Sequence, residues 1–226
     1  AQWVARMVDL GVPTVQLRFK SDNTKSIQQE IQAAVKAVEG SRTHLFINDH
    51  WQVAIDAGAY GVHLGQEDME LASLDAIRSA GLRLGLSSHG YAEMLKACAV
   101  QPSYLALGAI FPTTLKAMVT PPQGLGRLHA YAQLMRQHPL VAIGGIGMEH
   151  LPAVATSGVL RAFANDACWA TVMWVDSKDT ALAPATTAST RASISAVRDF
   201  TSAAGLPSIS RPKEMFCATV RCGKSA

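Results

Sequence analysis

Short apolar runs of strand length recur along the first two thirds of the chain. They are TVQLRF (14–19), HLFIN (44–48), GVHL (61–64), LRLGLS (82–87), YLALGAIF (104–111) and LVAIGG (within 139–145). The segments between them have helical periodicity. SIQQEIQAAVKAVEG (26–40) places Ile27, Ile31, Ala34, Val35 and Val38 on one side of a helix. DAIRSAGLR ends with Gly81 where a helix would stop, and YAEMLKACAV, LHAYAQLMRQH, HWQVAIDAG and MELASLDAI also read as helices. Strands alternating with helices across short turns predict βαβ units and a parallel sheet.

Polar positions refine that expectation. Nearly every strand ends in polar residues or glycine: Gln16, Arg18 and Lys20; Asn48 and Asp49; Gln66, Glu67 and Asp68; Ser87, Ser88 and His89; Thr113, Thr114 and Lys116; Gly144 and Gly145. In a TIM (β/α)8 barrel all such ends meet at one mouth, whereas in an open sheet only those near a switch point do. The expected fold is therefore an α/β barrel. Six strands are visible rather than eight, so one is expected to be missing at each end of the chain.

Composition changes the picture in three places. The 226 residues are 49% hydrophobic and 16% charged, enough apolar material for one sizeable core. No window is long and apolar enough for a membrane span, and the start has no signal-peptide pattern, so we expect a cytoplasmic protein. The chain does not open on Met, which leads us to expect residues before Ala1. The net charge of +3 comes entirely from residues 160–226, since residues 1–159 balance, and it offers no argument for nucleic acid or membrane partners. Cys98, Cys168, Cys217 and Cys222 lack zinc-site spacing and read as reduced thiols. From about residue 160 the chain becomes rich in Ala, Ser and Thr, and reads as linker or disordered sequence with one weak helix near 189–204.

The candidate chemistry lies at the strand ends. Asp49 and Asp68 follow consecutive strands, which lie about 4.8 Å apart in a sheet. Both carboxylates can then reach one Mg²⁺, whose other ligands are commonly water and phosphate oxygens. Helix N-capping explains an Asp in either position equally well. Gln16, Arg18 and Lys20 share one strand face, and an inward Arg and Lys call for a phosphate or carboxylate partner. Lys116 is a second phosphate contact or an ordinary solvated lysine. Gly144 and Gly145 allow close backbone approach to a ligand, or form only a tight turn. His63 sits inside a strand, out of phase with Leu64, and reads as structural. His89 has no acid brought to it by the sequence, so no Ser/His/Asp triad is expected.

The ordered series GVPTVQLRFK, LFINDHWQVAIDAGAYGVHLGQED, LRLGLSSHGYAEM, PSYLALGAIFPTTLK and AIGGI resembles the thiamine-phosphate synthase family over residues 1–159. The resemblance implies a (β/α)8 barrel that joins a pyrimidine methyl pyrophosphate to a thiazole phosphate, releasing pyrophosphate. It implies that Gln16, Leu17, Arg18, Phe19 and Lys20, with Asn48 and Ser87, contact the pyrimidine substrate. Asp49 and Asp68 would bind Mg²⁺. Thr113, Thr114 and Leu115 would lie on the thiazole phosphate, Lys116 on pyrophosphate and Gly145 on a phosphate. Arg18, Lys20, Ser87 and Lys116 would be the catalytic set.

Three departures from the family pattern stand out. Leu115 replaces a threonine of the phosphate loop, the family's first strand is missing before Ala1, and residues 160–226 do not match. The reading therefore gives a catalytic barrel domain at 1–159 and a divergent or partly disordered segment at 160–226. Exposed strand edges would need covering by that segment or by a second copy in a homo-oligomer. Two other readings stay open: a related thiazole tautomerase, which needs no pyrophosphate apparatus, and an incomplete barrel without activity.

Overall fold

The computed structural model describes residues 1–113, 120–146, 150, 153–154 and 157, together with the backbone of the strands at 172–176 and 217–222. A helix α1 (Gln2–Asp9) precedes β1 (Thr14–Phe19). The chain then alternates through α2 (Thr24–Val38), β2 (His44–Asn48), α3 (Trp51–Asp56), β3 (Gly61–Leu64), α4 (Gln66–Leu71), α5 (Leu74–Ser79), β4 (Arg83–Ser88), α6 (Tyr91–Ala99), β5 (Tyr104–Leu107), α7 (Gly124–Leu134) and β6 (Leu140–Ala142). Two further strands, β7 (Val172–Asp176) and β8 (Cys217–Cys222), come from the segment that the sequence reading left as linker. The expected weak helix at 189–204 lies outside the described residues.

All pairings are parallel, and the sheet order is β6-β5-β4-β3-β2-β1-β8-β7. β8 lies along β1 from Thr14↔Cys217 to Phe19↔Cys222, so the tail does cover the β1 edge. β6 and β7 are the two ends of the order, and no ladder joins them among the described residues. The architecture is thus an eight-stranded parallel α/β sheet with helices between successive strands from β1 to β6. The parallel α/β sheet agrees with the sequence reading, whereas β7 and β8, drawn from residues 172–222, were not expected. β8 takes the place beside β1, and it comes from the opposite end of the chain.

The pleat divides each strand into two faces. Val15, Leu17, Leu45, Ile47, Val62, Leu64, Leu84, Leu86, Leu105 and Leu107 face the helices and are buried. α2 fits this layer because Ile27, Ile31 and Ala34 recur at helical spacing, and the Asn23 side chain caps it by accepting from the Ser26 N–H at 3.2 Å. The other face carries a separate aromatic cluster of Phe46, Tyr104, Ala106 and Val141, with Tyr60 and Ile143 packed against it. Above that cluster, toward the carboxyl ends of the strands, the same face turns polar.

Glycines make room for the aromatic rings. Gly61 is in register with Phe46, and Gly85 with Tyr104. A Cβ on Gly61 would stand 2.5 Å from Phe46 Cε1, and one on Gly85 would stand 2.2 Å from Tyr104 Cζ. Neither ring has space to retreat, since Phe46 and Tyr104 pack edge to face at 5.1 Å. Gly85→Ala should therefore destabilise the protein by about 1–3 kcal/mol through overpacking. The check is denaturant unfolding, and an unchanged midpoint would contradict this packing.

Candidate active site

The polar layer is built from consecutive strands. On β1, Gln16 and Arg18 alternate with the buried Leu17, whose side chain packs among the outer hydrophobics with Phe19 beside it. Leu17 and Phe19 thus direct their side chains away from the polar layer. Gln16 Nε2 donates to Asn48 Oδ1 at 2.7 Å, which locks β1 to β2 just below the strand ends. Past the end of β1, Lys20 Nζ lies 3.2 Å from Asp49 Oδ2. Lys20 is 60% exposed, so this ion pair contributes at most about 1 kcal/mol to stability.

Neither acid turns out to be an N-cap. Asp49 has φ 65, a left-handed conformation that Asp tolerates better than most residues, and its N–H donates to the His63 carbonyl at 3.0 Å. His50, not Asp49, occupies the N-cap of α3. Asp68 lies within α4, in its first turn, and Gly65 is the cap. The sequence reading placed Asp68 before a helix MELASLDAI. That stretch is instead split at Ser73, whose hydroxyl accepts from the Ala76 N–H to start α5.

The two carboxylates are neighbours. Burial and then the Asp49 charge, together with a hydrogen bond between the two side chains, push the Asp68 carboxyl above its ordinary value of 3.8. Lys20 and a hydrogen bond from the Gly65 N–H pull the other way. A like-charge pair that is costly when empty suits a cation between its members. Among the described residues no group of three or more His, Cys, Asp or Glu is placed to hold a metal. Two carboxylates would need oxygens from water and a ligand to complete a coordination shell, which is the habit of Mg²⁺ rather than of zinc.

Ser87 stands at the end of β4 on the same face. His63 is fully buried, with Nε2 at 2.8 Å from Ser87 Oγ and Nδ1 at 2.7 Å from the Tyr104 hydroxyl. Burial lowers its pKa to about 4, with Asp49 opposing and Arg18 adding to the shift, so the ring is neutral. Gln66 Nε2 donates to the Ser87 carbonyl at 2.6 Å. Sequence reasoning placed Gln66 among the polar strand ends but gave His63 and Tyr104 no place here. The signal was available: Leu64 belongs to the outer core, so His63 must face the polar side. His89 does have an acid beside it, contrary to expectation. Glu93, one helical turn on, accepts from the His89 N–H at 2.7 Å and lies 2.9 Å from Nδ1.

The far side of the site is only partly described. Thr113 is described, while Thr114, Leu115 and Lys116 lie outside the described residues. Gly144 and Gly145 have φ 87 and 67, and a Cβ on Gly145 would stand 2.4 Å from the Pro112 carbonyl oxygen. Their requirement for glycine therefore arises from the turn and from close approach to the 109–112 backbone.

Residues 1–165 match the family described as thiamine monophosphate synthase. The chain belongs to that family. The thiamine-phosphate synthase of Neisseria meningitidis serogroup A (strain Z2491) is 57% identical over 159 residues, covering 70% of this chain and 78% of that protein. The thiamine-phosphate synthase of Cronobacter sakazakii is 51% identical over 158 residues, covering 70% of this chain and 75% of that protein. Among solved structures, the thiamine phosphate pyrophosphorylase of Pyrococcus furiosus superposes with a TM-score of 0.59 at 26% identity, covering 70% of this chain and 75% of that one. No helix among the described residues is long and apolar enough to cross a membrane.

The raised Asp68 pKa has a sign that can be worked out. An acid held above its ordinary value binds protons more tightly folded than unfolded. It favours the native state at low pH, and that contribution is lost as pH rises from about the ordinary carboxylate value through the raised one. At neutral pH the ionised pair is a cost. In metal-free protein Asp68→Asn should therefore raise the melting temperature at pH 7 and leave it unchanged at pH 3. A lower melting temperature at pH 7 would contradict the pairing.

Proposed function

We propose that this chain acts as a thiamine-phosphate synthase, joining 4-amino-2-methyl-5-(diphosphooxymethyl)pyrimidine to 4-methyl-5-(2-phosphooxyethyl)thiazole with release of pyrophosphate. The observation that carries the reading is the gathering of Lys20, Asp49 and Asp68 at one end of the sheet in a chain 57% identical to such an enzyme. A closed (β/α)8 barrel is the form of the fold we infer for the working enzyme, with residues 1–159 as its catalytic domain.

The reaction needs charge neutralised rather than a proton moved. The carbon–oxygen bond between the methylene and the pyrophosphate breaks, and its electrons leave with pyrophosphate. The pyrimidine amino group supplies electron density to the methylene carbon, and the thiazole nitrogen then forms the new carbon–nitrogen bond. No proton is lost at that nitrogen, so no general base is required. Asp49 and Asp68 would hold Mg²⁺, which when bound offsets charge on the departing pyrophosphate. Arg18 and Lys20 aim positive charge at the same oxygens, with Lys116 assigned there by the family pattern. Ser87 donates to the pyrimidine substrate, and Gln16 and Asn48 hold the floor beneath it through their mutual hydrogen bond. Thr113, Thr114, Leu115 and the Gly145 backbone are the proposed thiazole-phosphate side.

Thiamine phosphate formed from the two substrates and Mg²⁺ is the direct test. Asp49→Ala and Asp68→Ala should each lower kcat/KM by about a hundredfold or more, the scale of losing a properly aimed electrostatic group. Full activity of both variants without metal would refute the assignment of the acids.

A further inference from the structure

The buried contact between β3, β4 and β5 has a direction. His63 of β3 is in register with Gly85 of β4, and Gly85 is in register with Tyr104 of β5. Because Gly85 has no side chain, the His63 and Tyr104 rings meet across it, stacked with centroids 5.5 Å apart. The Tyr104 hydroxyl reaches Nδ1 at 2.7 Å, and the opposite ring nitrogen reaches Ser87 Oγ at 2.8 Å. A Cβ at Gly85 would stand 2.5 Å from the Tyr104 hydroxyl oxygen and block this line.

A neutral imidazole carries one N–H, so the two hydrogen bonds cannot both be donated by the ring. A phenol is a much stronger acid than an alcohol and the better donor to a ring nitrogen. Nδ1 therefore accepts from Tyr104, and the ring proton sits on Nε2, where it donates to Ser87 Oγ. One Ser87 lone pair is thereby occupied and its own hydroxyl proton is free to point outward. The main chain is held as well. The Ser87 carbonyl can only accept, which fixes the Gln66 amide with its NH2 toward Ser87 at 2.6 Å. Gln66 Oε1 is left buried without a hydrogen-bond partner.

We propose that Tyr104 and His63 are positioning residues that make Ser87 an obligate hydrogen-bond donor toward the substrate. This rests on the proposed function, in which Ser87 touches the pyrimidine pyrophosphate as negative charge builds on the leaving oxygens. The relay fixes the direction of the Ser87 proton before substrate arrives, so the group is preorganised for the charge that develops. The same line in the opposite polarity, with Nδ1–H donating to Tyr104 and Ser87 donating to Nε2, would present only lone pairs to an anion and would repel it.

The test combines a tautomer measurement with a double-mutant cycle on the full chain. Nitrogen-15 NMR of the ligand-free protein should show the His63 proton on Nε2, and Tyr104→Phe should make the tautomer mixed. In turnover, Ser87→Ala should lower kcat about a hundredfold, and Tyr104→Phe should lower it about fivefold. The double variant should behave as Ser87→Ala alone, because Tyr104 acts through Ser87. A proton found on Nδ1, or multiplicative effects in the cycle, would overturn the relay. A wild-type chain that makes no thiamine phosphate would defeat the proposed function instead, and the tautomer would then decide the relay without turnover.

Discussion

The parallel register of β1 to β4 is the constraint from which the site follows. Each strand runs in the same direction, so each delivers its last residues to the same edge of the sheet. Lys20, Asp49 and Ser87 come from three different strands, with Asp68 from the helix after the fourth member of the set, β3. Neighbouring strands lie about 4.8 Å apart, which lets Lys20 reach Asp49 and Asp49 reach Asp68. A single antiparallel strand in this row would move its polar end to the opposite edge and dismantle the cluster. The helices serve this arrangement by covering the outer face, where Val15, Leu17, Leu45, Ile47, Val62 and Leu64 are removed from water.

The inner face is organised in two levels with different chemistry. Below, Phe46, Tyr104, Ala106 and Val141 make a dry layer whose tight fit depends on Gly61 and Gly85. Above, Gln16–Asn48 joins β1 to β2, and Tyr104–His63–Ser87 links β5, β3 and β4, with the Tyr104–His63 bond passing over Gly85. Tyr104 belongs to both levels, with its ring in the apolar layer and its hydroxyl in the polar one. Buried polar groups that satisfy one another are stiff, because leaving any of them unpaired is costly. The charged residues at the top have no such closure. Burial and the Asp49 charge push the Asp68 carboxyl above its ordinary value, and Lys20 pulls the other way. The site is therefore rigid at its floor and electrostatically incomplete at its rim.

Much of this was legible in the sequence because strand pattern and position agree. β1, β2 and β3 fall on the segments marked by apolar alternation, and β4 is shifted by one residue. β5 and β6 are shorter than their apolar runs, since GAIF and IGG lie beyond the strands, where the Ile110 N–H donates to the Ile143 carbonyl. Gly81 has the positive φ of a helix stop, as its position suggested. The capping alternative for the two acids could not be decided from spacing, because a left-handed Asp49 and a helix beginning at Gln66 leave no mark in the pattern. His63 was passed over because a buried histidine and a positioning histidine look alike until their partners on other strands are known. β7 and β8 were missed because their pairing is the longest-range in the sheet, joining residues 14–19 to 217–222. Local periodicity cannot report a partner that distant.

In the proposed function, the paired carboxylates at the rim are completed only by a cation and a pyrophosphate together. Calorimetric titration of the pyrimidine pyrophosphate into the protein, with saturating Mg²⁺ and then with a chelator, addresses it directly. The account predicts binding roughly tenfold or more tighter with Mg²⁺, with that difference abolished in Asp49→Asn. Equal affinity in the presence and absence of Mg²⁺ would contradict it.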